Sequence, residues 1–140
     1  MQKFTVVINT WKRHKLLEES VAHYAKCDQV DALRVVWSES KSPPRALTAS
    51  IERRLEDEES ISGRDIRLHF DVRSDSSLNS RFLPLPDLNT TAVLSVDDDL
   101  LIDCDSVLFA FQLWQSAPDA MVGFHPRMHL VNKVSGCLSR

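Results

Sequence analysis

The 140-residue chain has no CxxC pair, no excess of basic charge and, across residues 1–30, no uninterrupted apolar run long enough for a signal peptide or a membrane span. Each absence removes a class of protein. Cys27, Cys104 and Cys137 stand far apart, which argues against a zinc module, and three cysteines cannot all pair within one chain, so their state stays open. A formal net charge of −3 supplies no basic face for nucleic acid, so no such partner is expected and any phosphate has to be met by local groups. Lys12, Arg13, His14 and Lys15 interrupt the first apolar segment, so neither a signal peptide nor a membrane span is expected there. Internal repeats and low-complexity tracts are missing too.

What is present fits one globular domain: 43% hydrophobic and 26% charged residues are enough for a sizeable core. Short β-type runs are expected at Phe4–Asn9, Leu33–Trp37, Ile66–Val72 and Ala92–Asp97, with a further short strand near Met121–Phe124. Helical spacing runs through Lys15–Ala25, through Leu47, Ile51 and Leu55 after Pro43-Pro44, and through Val107, Leu108, Phe111 and Trp114. Ser74–Pro86 is expected to be a loop. Strand and helix alternate, which predicts an α/β fold with a mostly parallel sheet flanked by helices.

The most informative segment is Ala92–Ile102, an apolar run that ends in Asp97, Asp98 and Asp99 before turning apolar again. Three adjacent carboxylates at a strand end repel one another unless donors or a cation neutralise them. Their hard oxygens suit Mg²⁺ or Mn²⁺, ions that bridge one or two carboxylates to substrate phosphates. If the first, second and fourth expected strands are parallel neighbours, their carboxyl ends collect three groups at one edge, where ligands of open α/β sheets sit. These are Asn9 and Thr10 with Lys12 and Arg13, then Trp37, Ser38 and Glu39, and then the triplet. Arg13 offers a planar fork to phosphate, and Asn9, Thr10 and Ser38 offer hydrogen bonds to a base or ribose. Ser77–Phe82 would bring Asn79 and Arg81 over the crevice, and Gly123–Arg127 would bring Arg127, with His125 beside it. Taken singly, each has an ordinary surface or core explanation. Leu100-Leu101 follow the triplet where a phosphatase loop or a calcium loop would have glycine, which disfavours both.

In order along the chain, Phe4–Arg13, Leu33–Glu39, Ser77–Phe82, Ala92–Asp99 and Val107–His129 resemble the exostosin-like glycosyltransferases, family 64. The wording is most similar to the plant branch that includes glycosylinositol phosphorylceramide mannosyltransferases. The resemblance implies a GT-A fold, the Rossmann-like architecture of nucleotide-diphospho-sugar transferases, with Mn²⁺ as cofactor. It implies retaining transfer of mannose or N-acetylhexosamine, from GDP-mannose or UDP-N-acetylhexosamine, to a glycolipid or glycan acceptor. It also implies a lumenal setting at the Golgi or endoplasmic reticulum membrane. Asn9, Thr10 and Arg13 match the family's first-strand nucleotide residues, and Ser38 falls where it often has asparagine. Asn79 and Arg81 lie in the loop before the metal strand, Asp97 matches the ribose-side carboxylate with Asp98 beside it, and Asp99 matches the metal ligand. Arg127 matches the arginine after the glycine-phenylalanine turn. His125 and Ser80 depart from the family wording. Residues 1–129 therefore correspond to a donor-binding half and 130–140 to a divergent tail. With no acceptor half in register, little or no transferase activity is expected of this truncated chain alone, the alternative being a non-catalytic nucleotide or metal-binding module. An uncovered sheet edge would favour association with itself or another chain.

Overall fold

The computed structural model describes residues 2–74 and 83–123. In chain order it contains β1 (Phe4–Asn9), α1 (His14–Ala25), β2 (Val30–Trp37), α2 (Arg45–Ser62), β3 (Arg67–Val72), β4 (Val93–Asp97) and α3 (Cys104–Ser116). The chain divides into two compact units, Met1–Cys104 and Asp105–Arg140.

In the first unit all four strands are parallel, in the order β3-β2-β1-β4. β1 and β2 occupy the centre, and strands covered on both faces read as near-continuous apolar runs. Phe4, Val6, Val7, Ile8, Leu33, Val35, Val36 and Trp37 are all buried accordingly. α1 buries Leu17, Val21, Tyr24 and Ala25, one stripe at helical spacing. α2 starts directly after Pro44, whose missing N–H costs nothing at a helix entry, and ends at Gly63 with φ +74°, the left-handed backbone that glycine adopts without strain. Only Leu47 and Ile51 of α2 are buried, and α1 and α2 pack on one another. Crossovers of one hand from β1 to β2 to β3 put both helices on the same face, as their mutual packing shows.

The expected elements are present with two differences. β2 begins at Val30, ahead of its apolar run, because the register pairs Phe4 with Val30 and the Phe4 N–H reaches Gln29 O. Met121–Gly123, the described part of the expected last strand, carries no strand structure, and Met121 is almost fully exposed. An apolar run without a ladder partner has nothing to satisfy its backbone groups as a strand.

Two long-range ties were not foreseen. Arg34 on β2 is buried and forks onto Asp71 of β3, Nε to Oδ2 at 2.8 Å and Nη2 to Oδ1 at 2.7 Å, while Nη1 donates to Pro86 O at 2.9 Å. Cys27, just past α1, forms a disulfide with Cys104 across 77 residues. In the second unit α3 buries Val107 and Phe111, and the rings of Phe111 and Trp114 stack with centroids 6.1 Å apart.

Candidate functional site

β1 is where the sheet order reverses: β2 and β3 follow on one side of it, and β4 returns to the other. The crevice outside the carboxyl ends at such a reversal is where open α/β sheets bind ligands. Asn9 and Asp97 are register partners at that end, and the Asp98 N–H continues the ladder to Asn9 O at 3.2 Å. The Leu100 N–H then returns to Asp97 O at 3.3 Å, so Asp97–Leu100 form a turn with the triplet on it.

The three carboxylates of that turn are not equivalent. Asp98 points inward: its side chain is fully buried, Thr10 Oγ1 donates to its Oδ2 at 2.8 Å, and Arg13 Nη2 lies 2.6 Å from its Oδ1. The Arg13 contact is an ion pair without hydrogen-bond geometry, so Oδ1 has no directed donor. Burial pushes the Asp98 carboxyl above the ordinary carboxylate range; the Thr10 hydrogen bond and the Arg13 charge oppose this, and Asp99 and Asp97 add to it. Asp99 keeps 54% of its side chain exposed, with Arg13 Nη1 at 3.4 Å from Oδ2. Asp97 is half-buried and engaged by neighbours.

Arg13 is thus shared between Asp98 and Asp99, and the backbone before it explains how it gets there. Lys12 sits at φ +53°, a left-handed conformation that costs roughly 1–2 kcal/mol for a residue with a Cβ. Its N–H donates to Glu39 Oε2 at 2.7 Å, and His14 Nε2 lies 3.1 Å from Glu39 Oε1. Glu39 follows Ser38 at the end of β2, so one carboxylate fastens the β1–α1 loop to the neighbouring strand end. The structure brings Asn9, Thr10, Arg13, Asp97, Asp98 and Asp99 together, with half-buried Ser38 at the next strand end. Asn79, Arg81, His125 and Arg127 lie outside the described residues.

Among the described residues, no three His, Cys, Asp or Glu side chains converge as a ligand set. A small hard cation that keeps its waters and takes one or two carboxylates plus substrate phosphates does fit, with the exposed Asp99 oxygens as donors.

Sequence reasoning placed Glu39 at this edge without its bonds to Lys12 and His14, and gave no role to Tyr24, His23 or the Cys27–Cys104 pair. Tyr24 is fully buried on the α1 stripe, and its Oη donates to Leu100 O at 2.8 Å while accepting the Ile102 N–H at 3.2 Å. Its position on the apolar face gives only the signal of a core residue.

The family model described as "Glycosyl transferase family 64 domain" matches residues 4–139. Over 130 residues the chain is 45% identical to "Glycosylinositol phosphorylceramide mannosyl transferase 1" of Arabidopsis thaliana, covering 93% of this chain and 39% of that protein. It is 34% identical over 141 residues to "Exostosin-like 2" of Homo sapiens, covering 99% and 39%. It is also 34% identical over 128 residues to "Glucosamine inositolphosphorylceramide transferase 1" of Oryza sativa subsp. indica, covering 90% and 15%. The chain thus spans well under half the length of these relatives. Among solved structures, S. aureus TarS 1–349 superposes with a TM-score of 0.57 at 21% identity, over 82% of this chain and 33% of that one. That likeness concerns fold alone, and the fold is of the GT-A type.

Proposed function

This chain belongs to glycosyl transferase family 64, and from that premise we propose that it binds the nucleotide diphosphate of a sugar donor at the carboxyl edge of β1 and β4, together with a divalent ion such as Mn²⁺ at Asp99. The observation that carries this reading is Arg13 held between a buried and an exposed carboxylate at the sheet reversal. A guanidinium shared in this way is already aimed at the edge and can move toward an incoming phosphate, leaving Asp99 free to meet the cation. Asp98, buried and bonded to Thr10, stays behind as the anchor of the turn. The bound ion would supply Lewis-acid neutralisation of the diphosphate as its charge develops on departure. Asn9, Ser38 and Asp97 are assigned to the nucleoside side, with buried Thr10 behind them holding Asp98, and Asn79, Arg81 and Arg127 to the donor as the motifs imply.

The likeness to a mannosyl transferase favours GDP-mannose as donor, with UDP-N-acetylhexosamine second. The names of two relatives support an inositol phosphorylceramide glycolipid as acceptor, reached with retention of configuration. The disulfide favours an oxidising compartment such as the Golgi or endoplasmic reticulum lumen. No helix of the described residues is long and apolar enough to cross a membrane. Donor binding is the activity assigned to these residues; transfer also needs an acceptor held beside the donor, a proximity contribution of about 7–11 kcal/mol.

Calorimetric titration of the chain with GDP and with UDP, with and without Mn²⁺, tests the reading. Metal-dependent binding that weakens at least roughly ten-fold in Asp99→Ala, about 1.4 kcal/mol, is the expected result. Folded protein that binds neither nucleotide would refute it, and donor binding without sugar transfer to a glycolipid would mark a non-catalytic nucleotide-binding module.

A further inference from the structure

The segment that leaves the carboxylate turn is fastened to the last turns of α1 at successive points. Tyr24 Oη takes both Leu100 O and the Ile102 N–H, His23 Nε2 lies 2.5 Å from Ile102 O, and Cys27 is joined to Cys104. The entry to the turn is fixed independently, by the Asp97 register with Asn9 and by the buried Asp98–Thr10 hydrogen bond. Asp99 therefore sits on a turn whose two ends are held by different elements. Leu100 is its closing residue: its N–H bonds Asp97 O and its C=O receives the Tyr24 hydroxyl.

We propose that Tyr24 is a positioning residue for Asp99, its hydroxyl setting the closure of the Asp97–Leu100 turn and thereby the direction of the Asp99 carboxylate. The proposal rests on the donor-site reading for its consequence in binding, but not for its geometry. The phenol is suited to the task because the hydroxyl both donates and accepts, filling two backbone sites of opposite polarity two residues apart. The ring contributes what any core aromatic would, and the hydroxyl is what bonds Leu100 O. Burial raises the Tyr24 pKa, with the Ile102 hydrogen bond opposing, so the phenol keeps its proton and its donor at neutral pH.

Tyr24→Phe deletes that oxygen and leaves the ring. Amide hydrogen exchange by NMR on the metal-free chain compares the wild type, Tyr24→Phe and Val21→Ala, the last removing core volume one turn away on the same stripe. At least a ten-fold loss of protection at Leu100 and Ile102 in Tyr24→Phe is expected, with Val7 and Val35 in the sheet centre unchanged. Val21→Ala is expected to lower all four together. Unaltered protection at Leu100 and Ile102, or a parallel fall at all four positions in Tyr24→Phe, would overturn the proposal. So would rapid exchange of both turn amides in the wild type, a result that needs no variant. In parallel, Tyr24→Phe should weaken Mn²⁺-dependent binding of GDP or UDP about ten-fold while leaving metal-free nucleotide binding as it was. Equal loss with and without metal would contradict positioning of Asp99. A wild type that shows no Mn²⁺-dependent binding overturns the donor-site reading instead, and the exchange measurement still decides the role of Tyr24.

Discussion

Reducing the Cys27–Cys104 bond measures how much of this fold depends on a covalent link between the segment after α1 and the first residue of α3. The bond spans 77 residues, and the entropy returned to an unfolded chain by opening a loop of that size corresponds to about 4.5 kcal/mol at 25 °C. A domain is typically stable by roughly 5–15 kcal/mol, so reduction removes a large fraction of the total. In the folded state the same two segments stay joined through Tyr24 with Leu100 and Ile102, and through His23 with Ile102. The loss should therefore fall on the unfolded chain, which becomes more expanded. Urea unfolding, followed through buried Trp37, is the assay, on oxidised and reduced protein in a Cys137→Ser background that prevents thiol exchange. With urea slopes of roughly 1–3 kcal/mol/M, the midpoint should drop by about 1.5 M or more, and the slope should rise on reduction because more surface is exposed by unfolding. An unchanged midpoint, with a thiol count proving that the bond had opened, would refute the argument. A slope that fell would refute its assignment to the unfolded state.

Asp71→Ala strands a buried guanidinium at Arg34 and should cost roughly 3–5 kcal/mol in denaturant unfolding. Replacing both partners, Arg34→Met with Asp71→Leu, should recover most of that loss; if it recovers none, the pair is more than compensated burial. The raised pKa of Asp98 carries a sign that can be checked on metal-free protein. The folded chain holds this proton to higher pH than the unfolded chain, so the group's contribution to stability is largest in acid. That contribution is lost as pH rises from the ordinary carboxylate value through the raised one. In Asp98→Asn the fall in urea midpoint across that window should flatten, and an identical pH profile in wild type and variant would show that Asp98 does not titrate differently on folding.

The alternating strands and helices follow from local periodicity, which needs only a few adjacent residues to be read; the neighbours of β1 entered as a condition that the sheet order meets. Asp98 shows where such reasoning stops. Three aspartates in a row carry one chemical signal, and nothing in their identity says that the middle one turns inward to Thr10 while Asp99 stays open. The same holds for Arg34, a charged residue in an apolar strand whose partner Asp71 lies on another strand, and for Cys27, whose partner Cys104 lies 77 residues further along the chain. These pairings depend on residues brought together by the sheet order, not by spacing along the chain.

They also change what the site is. An acidic turn reached only by its own strand would be free to rearrange to suit its solvent, with the like charges spreading apart. Here one end is tied by a buried carboxylate and the other by a buried phenol and a disulfide, all belonging to the packing of β1 and α1. Preorganised charges stabilise a developing charge without reorganising when the reaction occurs, and their geometry is only as firm as the shell behind them. Core substitutions on α1 near Tyr24 should therefore alter metal-dependent binding more than substitutions of equal cost on α2. The α2 stripe, Leu47 and Ile51, belongs to a helix that packs on α1 and supplies neither Tyr24 nor Cys27.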